Sequence, residues 1–111
     1  MEILFKNRKL QKIMSSQAEL VREYGAANAR LIMRRLLVLD AADCLADIPK
    51  DPPERCHALI GKRKGHYAVD VQHPYRIILE PADDPIPTHD DGSIDLERVT
   101  SIRMLEVTDY H

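Results

Sequence analysis

The 111-residue sequence closes on Asp109, Tyr110 and His111, an acid, a phenol and an imidazole directly behind a strand-forming run, Ile102 to Val107. Chain ends are commonly frayed and idle, whereas imidazole is the side chain whose ordinary pKa suits proton transfer near neutral pH. Fixed positive charge stands elsewhere. GKRKGHY, residues 61–67, sets Lys62, Arg63 and Lys64 between two glycines, and Arg76 lies inside YRIIL. Strand alternation puts Arg76 on the face opposite Tyr75 and Ile77. Cleaving RNA through its own 2′-hydroxyl needs a base for that hydroxyl, cations around the phosphorane and an acid for the departing 5′-oxygen. A histidine, a lysine and an arginine suffice for this without a metal, and a tyrosine beside them can stack on a base.

Each of these groups also has a plainer reading. GKRKG reads as a basic turn that keeps a hairpin in solution, with Lys62 or Lys64 otherwise presented to a polyanion. Arg76 reads either as a bidentate phosphate ligand or as the partner of Asp70 across the hairpin. His57, His66, His73, His89 and His111 are scattered with no paired spacing, so no metal site is expected. No serine sits in a nucleophile elbow, Cys56 and His57 are neighbours in sequence only, and no glycine-rich nucleotide loop occurs. No cofactor is expected. Cys44 and Cys56 form neither a CxxC nor a zinc spacing, so two reduced thiols are expected.

These groups need elements to hold them. MEILF is a short strand. Leu10, Ile13 and Met14 recur at helical spacing in KNRKLQKIM, and Ser16 with Glu19 marks a capping box that opens a second helix, interrupted at Gly25. Ala29, Ile32, Leu36 and Leu39 then step by three or four, with Arg30, Arg34 and Arg35 mostly off that line. This predicts a long amphipathic helix ending near Ala46, paired with its neighbour as an α-hairpin. DIPKDPPER carries three prolines and reads as a loop. The period then changes to two: HYAVDV and YRIILE form a β-hairpin about Gln72, His73 and Pro74. Arg98 to Val107 is the last strand. The order β-α-α-β-β-β predicts a single α+β domain, a mainly antiparallel sheet packed against an α-hairpin.

With 44% hydrophobic residues the chain can build one real core. No membrane-spanning run or signal peptide is read in it, and a cytoplasmic location is expected. Sixteen basic and eighteen acidic groups give a net charge of −2, but seven of the acids fall in residues 80–97, which carry no Lys or Arg. Local field, not global charge, steers a polyanion, so a basic face beside an acidic loop is open, as is an ordinary solvated surface. The loop, 81–97, is expected to be a surface excursion that shapes phosphate access, removable between 83 and 93 without loss of the fold.

The element order, the stretch RCHALIGKRKGHYAVDVQHPYRII and the closing VTDYH together resemble the HigB-like plasmid maintenance killer branch of the RelE/ParE toxin superfamily. The sharpest parts are His57, Leu59 and Gly61, then Tyr75, Arg76 and Ile77, then DYH. The resemblance spans nearly the whole chain. It implies the toxin of a type II toxin–antitoxin pair, a ribosome-dependent endoribonuclease cutting mRNA in the A site. It also implies a helix-turn-helix, HigA-like antitoxin that alone contacts operator DNA. His111 would then be the acid or base, Arg76 the transition-state arginine, Tyr110 and Asp109 a supporting pair, with His57 and Lys62 or Lys64 contributing from the other side. Asp70 stands where such nucleases tend to carry a basic residue, and the acidic insert is absent from the shortest members. A ParE-like toxin acting on DNA gyrase, or an inactive homologue serving as co-repressor, are the alternatives.

Overall fold

The computed structural model describes residues 1–109. β1 (Glu2–Phe5) leads into three helices: α1 (Arg8–Met14), α2 (Gln17–Tyr24) and α3 (Ala26–Ala41). Then come β2 (His57–Ala58), β3 (Tyr67–Asp70), β4 (Tyr75–Pro81) and β5 (Ser101–Asp109). Among the described residues the strands form one five-stranded sheet in the order β1-β5-β4-β3-β2. β1 runs parallel to β5 and the other pairs are antiparallel. The predicted α+β class holds. β2 escaped sequence reading because two residues are too few to show a period.

The helix starts follow local chemistry. Asn7 accepts from the amide of Leu10 and Ser16 from that of Glu19, each satisfying an orphan donor at a helix N-terminus. Gly25, at φ 83°, breaks α2 from α3 in a conformation that favours glycine. The long helix ends at Ala41, not near Ala46. Residues 45–47 form a 3-10 turn whose Leu45 amide donates to the Val99 carbonyl, and Leu45 itself is buried. The chain leaves the helix early because Leu45 and Ile48 must turn back into the core.

The sheet has two different faces. Tyr67, Val69 and Val71 of the β3 run, Ile77 and Leu79 of β4, and Ile102 and Met104 of β5 pack with Ala29, Ile32 and Leu39 of α3 as the main core. Arg35, counted among the polar side of α3, is instead 5% exposed and donates through Nε to the Asp70 carbonyl at 2.7 Å. Its neighbour in function is Asn28, also buried, which accepts from the Gln72 amide at 3.1 Å. Two polar side chains of α3 thus cross the core and pin the β3–β4 turn.

The last strand begins at Ser101, three residues later than expected, because residues 96–98 form a 3-10 turn. The acidic loop is mostly exposed, as expected, but it is tied at both ends. Asp83 accepts from the Thr100 and Ser101 amides and from the Thr100 hydroxyl, at 2.9 to 3.2 Å, and Ile94 and Leu96 pack on the core. A removable span therefore starts at 84, not 83. Asp83→Ala is expected to cost about 1–2 kcal/mol, since charge-assisted hydrogen bonds to strand amides are lost. Thermal melts set against exposed Asp84→Ala check this; equal melting temperatures would show the clamp contributes nothing.

Candidate anion site on the open face of the sheet

The face turned away from the helices carries a small apolar patch ringed by charged side chains. Directly opposed residues in antiparallel strands share a face. Asp70 pairs with Arg76, and Arg76 with Thr108, giving one row across β3, β4 and β5. The next row is His57, Ala68, Ile78 and Glu106. A bulge gives β5 one extra residue, Leu105, which joins Leu59, Ala68 and Ile78 in a small apolar patch on this face. Apolar floor and charged rim are thus set by strand register.

Three carboxylates organise the basic side chains. Glu106 takes Arg63 at 3.1 Å, and Glu80 takes Arg103 at 3.0 Å with His66 at 3.4 Å. Asp70 takes two arginines. Arg55 reaches it bidentately, Nε to Oδ2 at 2.7 Å and Nη2 to Oδ1 at 3.2 Å, while Arg76 Nε lies 3.3 Å from Oδ1. The Asp70–Arg76 pairing read as one alternative in the sequence is present. These pairs are between about one fifth and two fifths exposed, where each is worth roughly 0–1 kcal/mol. They orient side chains more than they hold the fold.

Arg55 was not singled out in the sequence, where DIPKDPPER reads only as a loop. Among the described residues it is the one non-glycine at positive φ, 45°, a conformation that costs about 1 kcal/mol or more for a residue with a Cβ. Its amide donates to Asp51 O, and its carbonyl accepts from His57 Nδ1 at 2.8 Å. A carbonyl can only accept, so His57 carries its proton on Nδ1, and neutral His57 keeps Nε2 as an acceptor. No periodicity could have exposed this; the contact depends on a loop folding back on β3, where the Asp70 amide donates to Glu54 O.

The sequence-chosen residues land as follows. Strand register puts Arg76 and His57 on the open face in adjacent rows, and Arg63 reaches that face through Glu106. Lys62 and Lys64 lie exposed at the 61–63 turn beside it. The tip of the acidic loop, Gly92 to Ile94, lines a cavity of about 490 Å³ with Gly61 and Lys64, so the acidic and basic loops adjoin. Asp109 pairs with Tyr75, one residue on from the Arg76–Thr108 pair, and alternation directs it to the other face. The expectations for Tyr110 and His111 lie outside the described residues. Among the described residues no His, Cys, Asp and Glu group could hold a metal, and no helix is long and apolar enough to cross a membrane.

Cys44 and Cys56 are free thiols. Burial pushes the Cys56 thiol up to about 11, against a small opposing pull from Lys50. About one thiol in a thousand is then ionised at pH 8, so native Cys56 is expected to resist iodoacetamide and react only on unfolding, read by mass spectrometry. The folded state holds this proton more tightly than the unfolded chain. Its stability contribution is complete below the ordinary value of 9.0 and is lost as pH rises toward about 11.

No protein-family profile matches the chain, and no curated protein matches it by sequence. Among solved structures it is similar to a chain of the YoeB-YefM complex from Staphylococcus aureus. The TM-score is 0.57 and the identity 13%, over 100% of this chain and 97% of that one. At that identity the likeness is one of fold: the chain has the RelE/YoeB-like α+β arrangement.

Proposed function

We propose that the chain is the toxin of a type II toxin–antitoxin pair, a HigB-like member of the RelE superfamily that cleaves mRNA on the ribosome. The observation that carries this reading is the end-to-end fold likeness to a chain of a YoeB-YefM complex. It is supported by which side chains share the open face of the sheet. Arg76, His57 and Arg63 share the open face of the sheet, and β5 runs beside β4 as far as Asp109, after which Tyr110 and His111 follow in sequence. His111 would move a proton, Arg76 would hold the phosphate through the transition state, and Lys62 and Lys64 would attract the RNA backbone. The structural neighbour is named as a two-protein complex, which supports an antitoxin partner; a helix-turn-helix antitoxin and a cytoplasmic site of action complete the proposal.

One observation favours a non-catalytic reading: Asp70 neutralises the arginine that the chemistry needs. The same experiment separates the two. Expression without an antitoxin should arrest growth and produce cuts only in translated messages, because the ribosome must orient the substrate. Arrest with intact messages and trapped gyrase–DNA complexes would assign the protein to the gyrase-directed class instead.

A further inference from the structure

We propose that Arg55 and Arg76 form a two-armed seat for an RNA phosphodiester, and that Asp70 is an internal anion occupying it until RNA displaces it. This rests on the nuclease reading for the identity of the ligand, though not for the existence of the seat. The two guanidinium groups arrive from unrelated parts of the chain, a loop and β4, and converge on one carboxylate. They border a cavity of about 300 Å³ lined also by His73, Pro74 and Tyr75. A phosphodiester presents two non-bridging oxygens and a single negative charge, the same acceptor pattern that Asp70 offers, and guanidinium forks match both.

Four features make this a built arrangement. Arg55 holds a left-handed backbone, at φ 45°, that an unselected loop residue would avoid. His57 ties down the carbonyl of Arg55. Arg35 fixes the main chain of Asp70 from inside the core. Asn28 fixes the turn that leads to Arg76. The backbone is thus held from three sides while the Asp70 carboxylate itself bonds the two arginines, so it can swing aside without disturbing the sheet. Asp70 is 27% exposed and Arg55 40% in their side chains, open enough for ligand exchange. Unlike a permanently cationic cleft, such a seat binds weakly to stray polyanions and favours a phosphate already delivered to it.

The test measures affinity for a short single-stranded 2′-O-methyl RNA, which binds without being cut, alongside thermal melts. Asp70→Asn keeps the side-chain shape but removes the competing charge. Affinity is expected to rise about two- to fivefold, the scale of a partly exposed ion pair no longer opposed. Arg55→Gln should lower affinity by a similar factor, and in the double variant the gain from Asp70→Asn should disappear. Unchanged or weaker binding by folded Asp70→Asn would overturn the proposal. If that variant melts early, Arg55→Gln decides alone, and unchanged affinity there overturns it. Tighter binding of an acidic peptide by Asp70→Asn with no gain for RNA would also overturn it, assigning the seat to a protein carboxylate. Tighter RNA binding with no cuts in translated messages would keep the seat and sink the nuclease reading instead.

Discussion

Replacing Arg76 by alanine is expected to abolish growth arrest on induction while leaving the protein folded. The Arg76 side chain lies 22% exposed in the middle of the Asp70–Arg76–Thr108 row, on the strand that pairs with both β3 and β5. Removing a preorganised donor aimed at developing phosphorane charge typically costs about 10²–10³-fold in rate. The structural cost is small, because Arg55 still holds Asp70 through two hydrogen bonds and the Ile77–Leu79 core run is untouched. An exchange to lysine should recover only part of the activity, since an ammonium keeps the charge but loses the fork. Growth arrest and primer extension are compared at matched soluble expression. Full killing by Arg76→Ala would remove this arginine from the chemistry.

The sequence made the sheet legible wherever periodicity was long. Alternation in YRIIL put Arg76 on the face opposite Ile77, and that stands: Ile77 packs in the main core while Arg76 pairs with Asp70 on the open face. The helix caps at Ser16 and Gly25 were equally readable because they are local chemistry. What escaped was non-local. Arg35 lies off the apolar line of α3, yet it is buried because its Nε has a carbonyl to serve on a strand 35 residues away. A pattern of residue types cannot show that partner. Arg55 escaped for the same reason, and so did Asp83, whose acidic loop looked unfit for packing until its carboxylate met the start of β5.

The candidate site divides along that line. Arg76 was visible as a cation out of phase with its strand, and the basic turn as a charge run between glycines. The ion pairs that govern them were not, apart from Asp70 with Arg76, where the hairpin is short enough for its register to be counted. That distinction matters for function. A count of cations on this face suggests a strong polyanion surface, whereas Asp70, Glu80 and Glu106 hold Arg55, Arg76, Arg103 and Arg63 in pairs. Under the proposed reading, recognition of RNA on such a face would depend on exchanging internal carboxylates for phosphates, with a net attraction far below the cation count. The proposed delivery of the substrate by the ribosome would suit that balance, because positioning then replaces affinity.

His111→Gln is expected to be as damaging as the loss of Arg76. Glutamine retains a hydrogen-bonding end but cannot titrate, so it cannot give or take the proton that the leaving or attacking oxygen requires. General acid–base groups supply about 10²–10⁴-fold, enough to separate arrest from growth. A second comparison distinguishes proton transfer from simple contact. If His111 acts by titration, the pH profile of RNA cleavage by wild type should show a limb that vanishes in His111→Gln, with RNA affinity held within about twofold. His57→Gln gives the contrasting pattern. Its Nδ1 proton supports the Arg55 carbonyl, so its loss should weaken RNA binding through Arg55 and leave the pH limb in place. Killing by His111→Gln at the wild-type level would sink the proposed mechanism, and a pH limb lost in His57→Gln but kept in His111→Gln would move the proton-transfer role to His57.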